Sequence, residues 1–214
     1  MKKALILMLA LCLVCGCAAA ETQEEKTSRI LVAYVSRAGE NYNVGVTHPD
    51  SASAAYAGYI EKGNTEIMAE YLAEMTGADL YAITTANPYP DDYASMLKRA
   101  QEELDADARP ELAGELPDLS AYDTVFIGYP IWHGATPRPV LSFLEHYDLT
   151  GKTVIPFNTH EGSGQSGTAR EIEAASSGAQ LLQGLAVQGR VAQEDEDNRT
   201  RELLADWLKS LGLN

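Results

Sequence analysis

Ile30-Leu31-Val32-Ala33-Tyr34-Val35-Ser36-Arg37 is the stretch on which the fold turns. Its near-continuous apolar run fits a central parallel strand covered on both faces, which has no solvent side to alternate toward. The run stops at a hydroxyl, Ser36, and a helix opens farther on at Gly63-Asn64-Thr65. Such a strand-to-helix junction suits a phosphate. The first turn of a helix carries amide N–H groups without intrahelical partners at the positive end of its dipole, and Ser36 and Thr65 add hydroxyl donors. The separation is unusual: about 26 residues lie between Ser36 and Gly63, where connections in α/β domains commonly run roughly 2–6 residues. Residues 40–62 contain Gly45, Pro49 and Gly58 and hold no sustained period. They read as a long loop with one short helical turn.

Beyond this stretch, strands alternate with helices. Residues 66–76 place Ile67, Tyr71, Leu72 and Met75 on one helical face, and Gly77 ends that helix. A strand over 79–84 and an acidic amphipathic helix over 91–107 follow, then a loop over 110–117. A third strand, 123–129, delivers Pro130-Ile131-Trp132-His133-Gly134 at its end. Pro137-Arg138-Pro139 opens a helix that runs to 146, because proline is tolerated in a first turn. The fourth strand, 152–157, leads into a stretch rich in glycine and hydroxyls, 158–167, and a short helix over 168–176. A weaker fifth strand, 180–187, bends at Gly184. A last helix over 199–211 buries Leu203, Leu204, Trp207, Leu208 and Leu211. This pattern predicts a three-layer α/β sandwich around a five-stranded parallel sheet of order 2-1-3-4-5, with ligands outside the carboxyl ends of the strands.

Residues 29–214 form that one domain, and what precedes it has another character. Met1-Lys2-Lys3 is a short positive start, 4–14 is an apolar run too short to span a bilayer as a mature helix, and Val14-Cys15-Gly16-Cys17 follows. This predicts a signal peptide over 1–17. Small residues ahead of a cysteine resemble the lipobox of bacterial lipoproteins, which makes Cys17 the expected lipidation site. An ordinary secretory signal cut within 17–20 is the alternative. Residues 18–28 are polar and read as a flexible tether, so the expected location is the cell envelope, exported and membrane-anchored. All three cysteines lie in the leader, leaving the domain no disulfide, thiol nucleophile or thiolate metal site. The formal charge is −15, from 16 basic and 31 acidic residues, and loss of Lys2 and Lys3 with the leader leaves 14 against 31, or −17. A nucleic-acid backbone would be repelled; the acidic surface favours solubility and steers basic partners.

Three special loops follow strands one, three and four, and the expected sheet order makes them neighbours at the switch point. The first suits a phosphate. The second sets Trp132 on a tight turn, where an exposed indole stacks on a flat ring. In the third, glycines at 162, 164 and 167 let backbone groups approach a ring edge closely. A phosphate at one end and a flat heteroaromatic ring at the other describe flavin mononucleotide (FMN).

Ser36-Arg37-Ala38-Gly39-Glu40-Asn41-Tyr42, Gly63-Asn64-Thr65-Glu66, Gly128-Tyr129-Pro130-Ile131-Trp132-His133-Gly134, Gly151-Lys152-Thr153 and Thr159-His160-Glu161-Gly162-Ser163-Gly164 together resemble flavodoxins, in a branch whose phosphate loop carries an insertion. The resemblance spans 28–214. It implies FMN bound by Ser36, Arg37, Ala38, Asn64, Thr65, Pro130, Ile131, Trp132, His133, Gly134, Thr159, Glu161, Gly162, Ser163 and Gly164. Ala38 departs from the pattern, standing where flavodoxins commonly carry a second hydroxyl. The implied activity is electron transfer with redox partner proteins, at a low potential given the surrounding carboxylates. The alternatives are an FMN-dependent NAD(P)H quinone or nitro/azo reductase of the same fold, and a flavin-free binding or scaffold domain.

Other signals carry less. Thr150-Gly151-Lys152-Thr153 is no P-loop, because His146 stands where a glycine is required and the segment precedes a strand. Ser163 is not in a nucleophile elbow, since Glu161 replaces the first glycine. His133 and His160 read as polar loop residues near a ring, with proton delivery as their one active role. In Tyr89-Pro90-Asp91-Asp92-Tyr93 two tyrosines flank a proline and two carboxylates; the cluster either lines the ring's rim or anchors the following helix.

Overall fold

The computed structural model describes residues 29–40, 59–193 and 198–213. The expected leader with Cys17, the tether and most of the expected long loop, 41–58, lie outside the described residues. In chain order the elements are β1 (Ile30–Tyr34), β2 (Gly39–Glu40), β3 (Tyr59–Ile60), α1 (Asn64–Thr76), β4 (Asp79–Ala82), α2 (Tyr93–Asp105), β5 (Thr124–Pro130), α3 (Arg138–Glu145), β6 (Thr153–His160), α4 (Thr168–Ala175), β7 (Gln180–Leu181), β8 (Leu185–Gln188), α5 (Gly189–Gln193) and α6 (Arg199–Leu211).

The main sheet runs β4-β1-β5-β6, with β7 and β8 both along β6, and its pairings are parallel. Counting the last two as one interrupted strand, this is the expected 2-1-3-4-5. Successive side chains of β1 enter opposite cores. Leu31 and Ala33 pack with Val125, Ile127, Met96, Val140, Phe143 and Ile172, under α2, α3 and α4. Val32 and Tyr34 pack with Phe126, Ile155, Phe157, Met68, Leu72, Leu204 and Trp207, under α1 and α6. Each large apolar side chain so buried stabilises the fold by about 1.5–3 kcal/mol relative to exposure.

Three details differ from expectation, each for a local reason. The helix after Gly63 buries Thr65, Met68, Ala69 and Leu72, an i, i+3, i+4, i+7 stripe. The expected face of Ile67, Tyr71 and Met75 is out of phase because the first turn points Asn64 and Thr65 inward; Met75 is exposed. On α6, Leu204, Trp207 and Leu208 are buried while Leu203 faces out. The fifth strand is broken rather than bent. Lys152 and Val154 accept from Gln180 N and Leu182 N, so every second residue of β6 directs its polar groups to that strand. Pro156 is the next in this series and has no N–H to give. The strand pauses there, and a Cβ on Gly184 would lie 2.7 Å from Pro156 O.

Three short elements, α5, β2 and β3, were not anticipated. The short α5 follows β8 directly. The strands β2 and β3 pair antiparallel, Gly39 opposite Ile60 and Glu40 opposite Tyr59, so the excursion leaves and returns through a zipped stem.

The contact between β5 and β6 tolerates no added atom at Gly128, where a Cβ would lie 2.2 Å from the Phe157 ring. Gly128→Ala is therefore expected to destabilise the protein by about 1–3 kcal/mol through overpacking. Urea denaturation measures this, and an unchanged midpoint would refute the contact.

Candidate functional site

At the carboxyl end of β1, α1 covers one face of the sheet and α2 the other, the arrangement that leaves room for a ligand at a switch point; a cavity of about 450 Å³ there is lined by Ser36, Arg37, Ala38, Thr84, Tyr89 and Trp132. The first loop enters it. Gly63 caps α1 with no side chain of its own, and Ser36 substitutes across the chain, its Oγ accepting the Glu66 N–H at 3.1 Å. A Cβ on Gly63 would stand 2.2 Å from Ser36 Oγ and 2.6 Å from Arg37 O, so only glycine fits where the two halves of the loop meet. Thr65 is buried, and its Oγ1 lies 2.9 Å from Thr159 Oγ1. Asn64 is buried beside it. Arg37 turns the other way, donating from Nη2 to Asp91 O with its guanidinium 6.0 Å from the Tyr93 ring centre.

The second loop leaves β5 at Pro130. Ile131 N donates to Thr159 O at 2.9 Å, and Trp132 and Ala135 exchange two backbone hydrogen bonds. Between them His133 and Gly134 both have positive φ, 51° and 75°, the signature of a type I′ turn. Glycine adopts this readily; His133 is held there with its Nε2 2.9 Å from Leu97 O, on α2.

Trp132 corrects an expectation. It is 6% exposed, where the reading of the turn called for an exposed indole. The connection from β4 to α2 folds over it and sets the Tyr89 ring edge-on at 5.0 Å and 64°. Tyr89 is clamped in turn. Its hydroxyl donates to Glu103, Arg99 Nε donates to the same carboxylate at 2.8 Å, and Arg99 Nη1 reaches Asn87 O and Pro88 O. The guanidinium lies 4.1 Å from the Tyr89 ring centre. Burial, then the Glu103 carboxylate, pushes the Tyr89 phenol far up, so it stays protonated. The indole N–H of Trp132 is buried and meets no acceptor among the described residues.

The third loop follows His160, whose Nδ1 accepts the Gly162 N–H at 2.9 Å. Burial holds the His160 imidazole below the ordinary histidine range. Gly162 and Gly164 adopt φ of 125° and 61°, which justifies glycine at both. Asn158 Nδ2 donates to Gly164 O, Ser163 O accepts Ser166 N, and Ser166 Oγ donates to Gly134 O at 2.7 Å. Glu161 accepts from Arg190 N at the start of α5.

The loops are thus joined: first to third through Thr65 and Thr159, second to third through Ile131 with Thr159 and Gly134 with Ser166. His133 and Arg37 point out of this junction, toward α2. Sequence reading missed the support behind the second loop. Glu171 accepts the Thr136 N–H at 2.8 Å and lies 3.5 Å from the buried Arg138, which also contacts Asp107. The one signal for it was a cation between Pro137 and Pro139. Among the described residues no group of His, Cys, Asp or Glu is placed to hold a metal.

Compared with family models, residues 53–209 match the one described as Flavodoxin. The chain belongs to the flavodoxin family. Among solved structures it is similar to a candidate flavoprotein from Bacteroides eggerthii, at 29% identity and TM-score 0.64, covering 87% of this chain and 99% of that one. Another candidate flavoprotein, from Bacteroides uniformis, gives 28% and 0.62, with 85% and 98% covered. A flavoprotein in complex with FMN from Lactobacillus acidophilus shares the fold, at 18% identity and TM-score 0.54 over 78% and 97% of the two chains. No curated protein matches. The family match begins after β1, so in this flavodoxin Ser36 is placed by the structure, through the pairing of β1 with β5.

Thr159→Val keeps the shape but strands the buried Thr65 hydroxyl, at an expected cost of about 1–3 kcal/mol. Replacing both residues with valine is expected to recover part of that loss. Urea denaturation of the two single variants and the double variant tests the bond; purely additive losses would exclude it.

Proposed function

We propose that this flavodoxin binds FMN in the crevice between the three loops and transfers electrons. What carries the reading is the junction at Thr159, which brings the first turn of α1, the Trp132 turn and the glycine-rich loop together in a chain of this family. The residues present fit the group. The Gly63 cradle is closed by Ser36 and Arg37, and Ser36 accepts from Glu66 N, leaving its own proton to donate to an anion. The backbone N–H groups of Asn64 and Thr65 in the first helical turn and the Asn64 amide would complete the phosphate end. Ala38 contributes only backbone there, and Thr65 supports from behind.

At the ring end, Trp132 forms a wall, with Pro130, Ile131 and Gly134 setting its position. Thr159, Glu161, Gly162, Ser163 and Gly164 bring backbone groups to the ring's polar edge. FMN supplies the one- and two-electron chemistry, which ordinary side chains lack. The chain's part is to bind, orient and bias the charge: an acidic protein disfavours added negative charge on the ring and lowers its potential. Basic redox proteins are the expected partners, drawn by the same field. Export and a lipid on Cys17 would hold the domain at a membrane face. A reductase that takes NAD(P)H is the second reading, favoured by the extension of the cavity past Trp132 to Pro88, Tyr89 and Pro90.

Purified protein is expected to be yellow and to bind added FMN tightly, with Asn64→Ala weakening binding by about 1.5–3 kcal/mol, the worth of a hydrogen bond to a charged group. Colourless protein with no FMN affinity overturns the proposal. Potentiometry should place the bound flavin below unbound FMN, and NADH or NADPH alone should leave a carrier's colour unbleached. Cys17→Ala should move the protein from the membrane to the soluble fraction; unchanged partition removes the anchor.

A further inference from the structure

We propose that Glu171, on α4, is the positioning residue of the Trp132 turn, with the buried Arg138 as its counter-charge. Neither side chain lines the cavity at the switch point, so Glu171 acts through the backbone that carries the indole. The joint between the turn and α3 is short of backbone donors. Pro137 and Pro139 have no N–H, and Arg138 already belongs to the first turn of α3, where N–H groups lack intrahelical acceptors. The Thr136 N–H is the last backbone donor ahead of the helix, and Glu171 Oε2 takes it at 2.8 Å. Ala135, the residue before, exchanges both backbone hydrogen bonds with Trp132. One carboxylate oxygen therefore holds the far end of the turn on which the indole stands.

The helix that presents this carboxylate is itself fixed. Thr168, the first residue of α4, accepts the Tyr129 hydroxyl at 3.0 Å and donates to Gln165 O, and both Tyr129 and Thr168 are buried. Ile172, next to Glu171, packs in the core under α2 and α3. The charge on Glu171 has a second, separable use. The Arg138 side chain is 8% exposed, and a cation so shielded from water needs an opposite charge. Asp107 offers one at 3.1 Å, but its side chain stands mostly in water, 73% exposed. Glu171 Oε1 lies 3.5 Å from Arg138 Nη2 on a side chain 30% exposed, where solvent screens the attraction less. An acceptor oxygen is enough to place the turn; the negative charge is what stabilises Arg138.

That the turn serves a flavin rests on the FMN reading; the placement of Trp132 by Glu171 does not. Trp132 and Trp207 are the only tryptophans in the chain, so the full protein labelled with fluorotryptophan gives two fluorine NMR signals, assigned with Trp207→Phe. Trp207 packs in the core on the other face of the sheet and reports any general loosening. Glu171→Ala should displace the Trp132 signal, leave the Trp207 signal in place and weaken FMN binding about tenfold, because the ligand must then order the turn. Glu171→Gln, whose amide oxygen still accepts the Thr136 N–H, should keep the Trp132 signal and the FMN affinity while lowering the urea midpoint, since Arg138 loses its counter-charge. If Glu171→Ala does not fold, its combination with Arg138→Met, which removes the orphaned cation, is read in its place. An unmoved Trp132 signal, movement of both signals together, or a glutamine variant that behaves like the alanine one overturns the proposal. A displaced Trp132 signal in a protein without FMN affinity would refute the cofactor reading alone.

Discussion

The site depends on a single buried threonine at the end of a buried strand. Thr159 pairs in register with Pro130 and Val187, its carbonyl takes the Ile131 N–H, and its hydroxyl meets Thr65. Two of these links are backbone contacts that any residue could make. The third is chemical: it needs a short hydroxyl on β6 opposite another on α1. A hydrogen bond in so dry a place contributes modestly when made and costs more when broken, which is why the helix that opens the crevice cannot drift from the strand that closes it.

A second constraint acts on Trp132 from the far side. The indole is held between the core and Tyr89, and Tyr89 is locked by a carboxylate that is itself paired with Arg99. Both members of that pair are largely shielded, with side chains 18% and 13% exposed, so their mutual attraction is screened less than at an open surface. Ordering by buried polar groups gives direction that apolar packing alone lacks. Trp132 is therefore fixed from both sides, and its place depends on the ring of Tyr89.

Much of this was legible in the residues, for physical reasons. The apolar run at β1 announces a strand covered on both faces, and alternation with helices implies a parallel sheet whose order places the three loops together. Of the glycines read as allowing close backbone approach, Gly162 and Gly164 adopt positive φ, whereas Gly167 has φ −99° and open space beside it. What stayed hidden depends on partners distant along the chain. Trp132 is buried by Tyr89, 43 positions earlier, and no local pattern records that. The phase of α1 was misread because Asn64 and Thr65, polar by type, point inward to serve the site. Pro156 breaks the fifth strand only because its ring nitrogen happens to face that neighbour.

The paired stem of β2 and β3 has a consequence for how this fold accepts new material. Because Gly39 and Glu40 are fastened to Ile60 and Tyr59, the cradle at Ser36 and Gly63 is indifferent to the length of chain spliced between them. Closing a longer segment costs only about 0.6 kcal/mol for each doubling. The stem thus separates the length of the segment beyond it from the shape of the junction beneath.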